Sequence, residues 1–300
     1  MNKLILKSCP LCSSTHVKHS ITCTDFYVSG EQFELFKCGN CGFVFTQGFP
    51  VGAHMDRYYD ASEYISHSDT KKGIVNSIYH QVRKHMLNKK ARLVNKEVNN
   101  SMGKLLDIGT GTGYFPHAMR KYGWKVEAVE KNEKARSYGR KKFGLEIREE
   151  DALNRFSPGT FKVITLWHVM EHMEHLGKTW GTLNELLSAD GILVIAVPNN
   201  ASYDAGKYKE YWAAYDVPRH VWHFTPATIE KMGKKCGFTL SAKYPMPFDA
   251  FYVSMLSEKY KGNQFAFVKG TFVGIWAWFL SLLDKEKSSS MIYVFRKEVE

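Results

Sequence analysis

Four cysteines open the chain as two C-x2-C pairs: Cys9 and Cys12 in "CPLC", and Cys38 and Cys41 in "CGNC", with 25 residues between the pairs. Each pair closes into a knuckle whose backbone N–H groups point at the sulfurs, and Gly42 relieves the second turn. Four thiolates so arranged complete a tetrahedral shell with no open position, so the metal they imply is structural. Zinc is the expected ion, and iron would accept the same ligands. Cys23 and Cys236 have no partner at such spacing and read as small buried side chains.

A second group of chemical residues lies in "LLDIGTGTGYF", Leu105–Phe115. An apolar run ends at Asp107. Gly109, Gly111 and Gly113 then alternate with Thr110 and Thr112, and Tyr114 opens a helical pattern. Glycine permits positive φ and close approach of a ligand to the backbone, and the first turn of a helix offers unpaired N–H groups. A G-x-G-x-x-G dinucleotide turn counted from Gly109 would need glycine where Tyr114 stands. An acid before the turn suits a cationic amino-acid group better than a pyrophosphate. The next apolar strand ends at Glu130, followed by Lys131, where a carboxylate can accept from both hydroxyls of a ribose. "EEDAL" then places Asp151 to accept from an exocyclic amine, with the Ala152 N–H beside it.

Three further segments carry polar aromatic and histidine side chains. The first holds Tyr58, Tyr59, Tyr64 and His67, and the second His168, Glu171 and His172. The third, "NNASYDAGKYKEYWAAYDVPRHVWHF", holds Tyr203, Tyr211, Trp212, Tyr215, Asp216, Arg219, His220 and His223. So many tyrosines in one polar loop suit a pocket for a ring, either a sugar or an aromatic. The general-base candidates, in order, are His172, His168 and His220.

These residues need a scaffold, and the hydrophobic pattern supplies one. Strands are expected at Lys104–Ile108, Lys125–Val129, Leu145–Arg148, Phe161–Leu166 and Ile192–Val197, with two more near 240 and 292. Helices are expected at Tyr114–Tyr122, Glu133–Phe143 and Thr179–Leu187, with Gly123, Gly144 and Gly191 at their C-terminal turns. Thr225-Pro226 reads as an N-cap and first helical residue. Ile74, Ile78, Val82 and Met86 recur every four residues and mark an earlier helix. Strand–helix alternation with near-continuous apolar strands means an α/β fold whose parallel sheet is covered on both faces. Residues 1–50 form the cysteine module, 51–100 a helical lid or linker, and 101–300 the α/β domain with a helical insertion at about 249–285.

With these motifs in place, the chain resembles the class I S-adenosylmethionine-dependent methyltransferases over roughly residues 100–245. "LLDIGTGTG" resembles their first motif, "VEAVEKN" their ribose-binding strand end and "EEDAL" their adenine-binding turn. "VITLWHVMEHM" and "YDVPRHVWHFTPATIEKMGKKCGF" are similar to segments of the small-molecule branch that includes ubiquinone-biosynthesis O-methyltransferases. The resemblance implies a doubly wound, mostly parallel seven-stranded sheet of the Rossmann-like methyltransferase type, here preceded by a zinc-ribbon-like module. It implies S-adenosyl-L-methionine as cofactor, held by Asp107, Gly109, Thr110, Gly111, Gly113, Tyr114, Glu130, Lys131, Asp151, Ala152, Trp167 and His168. The substrate side is expected from Tyr58, Tyr59, Tyr64, His67, Tyr203, Tyr211, Trp212, Tyr215 and Arg219. The expected reaction is methyl transfer to an oxygen or carbon of a small acceptor.

The net charge of +11 on 300 residues, together with the cysteine module, makes an RNA acceptor the alternative. The loops favour the small molecule, being rich in tyrosine and histidine and not in lysine and arginine. A non-enzymatic cofactor-binding protein is a third reading. The N-terminal apolar run, Leu4–Leu6, is too short for a signal peptide, so the cytoplasm is expected, where thiols stay reduced. "TFVGIWAWFLSLL", Thr271–Leu283, is short of a bilayer span and reads as a buried or partner-covered helix, with peripheral membrane contact as the alternative.

Overall fold

The computed structural model describes residues 3–59 and 74–298, and of residues 74–82 the backbone only. Tyr64 and His67 lie outside the described residues. The strands are β1 (Lys3–Leu4), β2 (Val17–Thr24), β3 (Gln32–Cys38), β4 (Val44–Gln47), β5 (Phe49–Pro50), β6 (Lys104–Ile108) and β7 (Lys125–Val129). They continue as β8 (Ile147–Arg148), β9 (Phe161–Trp167), β10 (Leu187–Pro198), β11 (Trp222–His223), β12 (Phe238–Pro245) and β13 (Ser290–Lys297). Seven of them form one sheet in the order β12-β13-β10-β9-β6-β7-β8. β6 pairs in parallel with β7 and β9, and β7 with β8. Strand order therefore reverses at β6, and ligands of such sheets bind beyond the carboxyl ends at that reversal.

The chain divides into two compact units, one of Met1–Ala61, His168–Thr179 and Ala196–Tyr293, the other of Ser62–Trp167, Trp180–Ile195 and Val294–Glu300. In the second unit the helices are α2 (Ile74–Glu97), α3 (Tyr114–Lys121) and α4 (Glu133–Phe143). Leu105, Leu106, Val163 and Ile164 of its central strands are fully buried, as near-continuous apolar strands require. Asn132 caps α4 by accepting from the Ala135 N–H, and Gly144 ends it in the left-handed region. Gly191 does not end a helix: the chain has already entered β10 at Leu187. A tight contact explains two other glycines. A Cβ on Gly139 would stand 2.4 Å from Ile147 Cδ1, and one on Gly113 2.9 Å from Leu145 Cδ1.

In the first unit, β11-β4-β3-β2 form a second sheet. Its core is aromatic: Phe43, Phe45, Phe49, Trp222 and Phe224 are buried together, with Phe43 stacked on Trp222. α1 (Ala53–Asp56) follows β5, and a later helix, α5 (Leu176–Leu186), starts in this unit. Next come α6 (Tyr203–Tyr208) and α7 (Pro226–Lys235), the latter with Thr225 and Thr228 bonded reciprocally as a capping box. α8 (Asp249–Tyr260) and α9 (Ala266–Leu283) then form a hairpin. Their backbones nearly touch: a Cβ on Gly270 would lie 2.5 Å from Met255 Cα, and one on Gly274 2.8 Å from Phe251 Cα.

This contact sets a sign. Alanine is about 1 kcal/mol better than glycine inside a helix. At Gly270 that gain meets backbone, which cannot swing away as a side chain can. Gly270→Ala should therefore destabilise the protein by about 1–3 kcal/mol, read as a lower midpoint in urea unfolding. An unchanged or raised midpoint would mean that the hairpin has room to separate.

Candidate functional site

In the second unit the glycine turn is built from the strand ends it joins. Asp107 is 1% exposed, and its Oδ1 accepts from Thr165 Oγ1 at 2.5 Å. Burial pushes its carboxyl up to about 6, against the lowering by Thr110, Thr165 and Lys90. Gly109, Gly111 and Gly113 have φ of 66°, 55° and 84°. A Cβ at Gly111 would meet nothing within 4 Å, so the backbone there faces open space. The Gly111 N–H donates to Glu130 Oε2 at 2.7 Å, and the Asn132 N–H to Glu130 Oε1 at 2.9 Å. Glu130 thus holds the turn shut while each oxygen keeps a second lone pair. Arg136 Nη1 donates to the carbonyls of Glu130 and Lys131, fixing the chain behind the carboxylate.

Other expected residues of this unit are divided. Trp167 packs edge-on against Phe115, Lys90 Nζ lies 4.3 Å from its ring centroid, and its buried Nε1 has no hydrogen-bond partner among the described residues. Tyr114 turns its ring to Phe143 and receives Lys142 Nζ on its hydroxyl. Asp151 is exposed and paired with Arg155, and the Ala152 N–H donates to the Glu149 carbonyl at 3.1 Å.

In the first unit, histidines and acids gather. His168 has a φ of 57°, with Nδ1 3.4 Å from Glu171 Oε1 and Nε2 3.4 Å from Asp249 Oδ2. Burial alone would lower its pKa, but Asp249 and Glu171 raise it to about 9, so it is an imidazolium. Glu171 is fully buried, and neither carboxylate oxygen has a hydrogen-bond partner among the described residues. Its burial is outweighed by His168, which holds it below the usual carboxylate range. His172 Nδ1 lies 3.0 Å from the Arg219 carbonyl oxygen and 3.1 Å from the Tyr59 hydroxyl. The carbonyl can only accept, so Nδ1 carries the proton and Nε2 the lone pair. Burial, helped by the neighbouring His220, pushes His172 down to about 4. His220 is held the same way, Nδ1 on the Ala214 carbonyl at 2.8 Å. Glu171, His172 and His220 each bring one donor atom within 4.8 Å of the others. A neutral imidazole with a free Nε2 is a proton acceptor, and with a carboxylate it is also a donor set for a cation.

Several residues expected at the substrate bond to other protein groups. Tyr58 is fully buried and donates to Glu31 Oε2 at 2.8 Å. Trp212 is buried and donates to Asp204 Oδ2 at 2.8 Å, and Tyr215 donates to Asn200 Oδ1 at 2.9 Å. Arg219 is buried between Asp25, Asp216 and the Tyr58 carbonyl. Tyr203 is half-buried at the start of α6, and Tyr211 stacks on Phe26. Thr165, Asp249 and Lys90 escaped the sequence reading. Their contacts depend on which strands and helices become neighbours, and no local motif encodes that.

The four cysteines converge, one sulfur each within 4.8 Å, with Cys9 Sγ 3.5 Å from Cys41 Sγ and Cys12 Sγ 3.6 Å from Cys38 Sγ. Zinc–sulfur bonds of about 2.3 Å put neighbouring sulfurs about 3.8 Å apart, so the cluster has the size of a tetrahedral shell. Burial raises the Cys38 thiol, but the Cys41 and Asn40 N–H groups bring it down to about 6. The knuckle geometry is thus realised, with Gly42 at φ 77°. Burial pushes the Cys23 thiol up to about 12, which keeps it an inert core group.

Comparison with known proteins gives a family and a fold. Residues 78–243, more than half of the chain, match the family described as a methyltransferase domain. A ubiquinone biosynthesis O-methyltransferase of Caulobacter sp. (strain K31) is 34% identical over 103 residues, which is 32% of this chain and 41% of that relative. The match therefore spans less than half of the relative's length. The PH0226 protein of Pyrococcus horikoshii OT3 superposes with a TM-score of 0.50 at 16% identity, over 79% of this chain and all of that one, and shows the same fold. A Burkholderia thailandensis 1,6-didemethyltoxoflavin-N1-methyltransferase, solved with its substrate and S-adenosylhomocysteine, aligns at 14% identity and a TM-score of 0.48. That alignment covers 87% of this chain and 98% of the other.

The opposite shifts of His168 and His172 predict a stability profile with two limbs. His168 is raised, so its contribution is whole below about 6.5, its ordinary pKa, and is lost as pH rises through about 9. His172 is lowered, so its contribution is present above about 6.5 and is lost as pH falls through about 4. Thermal midpoints measured across pH should fall on both sides, and His168→Gln should flatten the alkaline limb alone. A variant whose alkaline limb matches the wild type would remove the imidazolium.

Proposed function

The chain belongs to this methyltransferase-domain family, and from that premise we propose that it moves the methyl group of S-adenosylmethionine to an oxygen or carbon of a small ring-containing acceptor, such as a sugar or a quinone-like ring. The observation that carries the reading is the open backbone at Gly111 between two strand-end carboxylates, Asp107 and Glu130. The donor set fits the cofactor: Glu130 has free lone pairs for ribose hydroxyls, and the orphaned Trp167 Nε1–H awaits an acceptor. Asp107 and the N–H groups of the turn would hold the charged amino-acid end. S-adenosylmethionine supplies, when bound, an electrophilic methyl on a sulfonium that one in-line displacement transfers.

On the acceptor side His172 is the preferred base. Its proton sits on Nδ1, its Nε2 has no hydrogen-bond partner among the described residues, and it stays neutral down to about pH 4. As the new bond to the methyl carbon forms, Nε2 takes the proton of an acceptor hydroxyl. His168, already an imidazolium, has no lone pair to offer and serves to hold Glu171 and Asp249. The similarity to a ubiquinone biosynthesis O-methyltransferase supports a quinone-like ring among the acceptors. An RNA acceptor is the second reading, favoured by the net charge of +11. The four cysteines fit a structural zinc in a ribbon-like module over residues 1–50, and reduced thiols suit the cytoplasm.

Three variants test the assignment against turnover of a metabolite extract. Glu130→Ala should weaken S-adenosylmethionine on the order of a hundredfold, because hydrogen bonds to a charged acceptor contribute about 1.5–3 kcal/mol each. Glu130→Gln keeps one acceptor for the Gly111 N–H and separates loss of ligand contact from collapse of the turn. His172→Gln should leave that affinity alone and cut turnover by about a hundredfold or more. If turnover instead demands an RNA fragment and vanishes at moderate salt, the small-molecule reading fails.

Cys38→Ser tests the metal. Structural zinc on such ligands contributes on the order of 10–16 kcal/mol in model peptides, so the variant should lose its metal and the fold of β2–β4. β4 pairs with β11, and Thr46 Oγ1 donates to the His220 carbonyl at 2.8 Å. The segment carrying Arg219 and His220 should therefore loosen while the glycine turn keeps its own strands. The expected outcome is cofactor affinity retained and acceptor methylation lost, from metal analysis, titration and turnover on one sample. Full turnover without metal would make the cysteine module independent of catalysis.

A further inference from the structure

α9 has one charged residue, Lys269, in its 18 residues. Gly270, Gly274, Ala277 and Ser281 are buried, and they recur at spacings of four, three and four, which places them on one helical face. That face is occupied, because Gly270 and Gly274 abut the backbone of α8. The opposite arc is apolar and open to water. Phe267 is 73% exposed, Phe272 68%, Trp276 51% and Leu283 72%, and Ile275, Phe279 and Leu282 lie among them. A helix on a soluble protein normally carries polar side chains on that arc. Here the mean hydropathy is 1.6 over the helix, of which only 22% is buried.

A cleft of about 580 Å³ borders this arc, lined by Lys207, Lys261 and Lys269 with Glu258, Asn263, Phe272 and Val273. Glu258 is the one acid among them, and it accepts from Asn263 Nδ2 at 2.6 Å. Three ammonium groups against one carboxylate leave the cleft cationic, and Phe272 belongs both to the cleft and to the apolar arc. The edge of the arc is therefore anion-binding and its centre apolar. This is the order of chemistry met on entering an anionic bilayer, phosphate first and acyl chain after.

Other occupants fit less well. A second copy meeting this face across a twofold axis would bring the lysine clefts of both copies towards one apolar contact, like charge towards like. A bilayer crossing would carry α8 along, because the glycine face is packed on it. α8 brings Asp249, Glu258 and Lys259, with Glu258 buried, and charged groups are costly at a bilayer centre.

We propose that α9 seats the protein on the surface of an anionic phospholipid bilayer. Phe267, Phe272, Trp276 and Leu283 enter the boundary between headgroups and acyl chains, and the Lys207–Lys261–Lys269 cleft holds a lipid phosphate. The contact is interfacial and reversible.

Flotation of the full chain with phosphatidylcholine vesicles, with and without phosphatidylglycerol, tests this. The protein should partition at least about tenfold more strongly onto the phosphatidylglycerol vesicles, given the gain per lysine near an anionic surface. Brominated lipid should quench its tryptophan emission, and Trp276→Phe should remove part of that quenching. Lys261→Glu with Lys269→Glu should abolish the preference for anionic lipid. Phe272→Ser with Trp276→Ser should release the protein from both vesicle types. All these positions are exposed or on the cleft rim, so circular dichroism and S-adenosylmethionine affinity should not change. Inorganic phosphate should not displace the protein from vesicles, and alkaline carbonate should strip it. Equal partition onto neutral vesicles, displacement by inorganic phosphate alone, resistance to carbonate, or a dimer by light scattering that ignores vesicles would each overturn the proposal.

Discussion

Arg219 is a full positive charge at 1% exposure, and the first unit is arranged around satisfying it. Its guanidinium donates to Asp25 Oδ1 at 2.9 Å, to Asp216 Oδ1 at 2.6 Å and to the Tyr58 carbonyl at 2.9 Å. Removing either acid would leave an uncompensated buried charge, which costs about 3–5 kcal/mol in comparable pairs. Asp25 is itself spent, because its carboxylate also accepts from the Tyr27, Val28 and Ser29 N–H groups in the turn after β2. One cation therefore ties that turn, the residue after α1 and its cap, and the 216–219 loop to each other. The backbone carbonyl of the same residue accepts His172 Nδ1–H. The tautomer of the preferred base thus rests on a carbonyl whose position is fixed by an ion pair.

A similar economy holds the glycine turn. Three glycines with positive φ give a loop that would otherwise sample many conformations. It is pinned from both neighbouring strands: Thr165 of β9 donates to Asp107, and Glu130, just after β7, accepts from Gly111. Both acids expected to meet a ligand are therefore also framework, and the two roles are compatible because a carboxylate offers about four lone-pair directions. Preorganisation of this kind matters for methyl transfer, in which orientation of the two reactants supplies much of the catalysis.

The sheet was legible in the sequence because its signals are local. β6 and β7 fall at the residues that their apolar runs and bounding glycines mark, and α4 runs from the cap at Asn132 to Gly144. The cysteine cluster was legible for the same reason, since a C-x2-C knuckle is a four-residue object. The roles of the aromatic side chains were less legible, because side-chain chemistry alone cannot separate a pocket lining from a core. Tyr58, Trp212 and Tyr215 carry polar tips that find buried partners in Glu31, Asp204 and Asn200, so their polarity is spent internally. Arg219 misleads similarly: an arginine in a polar loop looks like a substrate clamp until Asp25, nearly two hundred residues away, is brought to it. The exposed arc of α9 is the reverse case. Its apolar composition suggested a buried or partner-covered helix, with membrane contact as the alternative, and the glycines that pack it against α8 occupy one face and leave the aromatics outside.

His168 and His172 lie four residues apart, and the same side chain is charged at one position and neutral at the other. Burial disfavours the imidazolium at both positions. At His168 both ring nitrogens face carboxylates, Glu171 and Asp249. Two acceptors demand two N–H groups, which only the cation has. At His172 one nitrogen is committed to a carbonyl and the ring of His220 stands edge-on at 4.5 Å, so a second proton would bring a charge against a second imidazole. The cation at His168 in turn lets Glu171 stay ionised although fully buried. That anion is what an imidazolium forming at His172 would feel during proton transfer, since Glu171 raises the His172 pKa against the stronger pull of burial. In the proposed reaction, the residue that is neutral at rest accepts a proton beside a charge already secured by its neighbour.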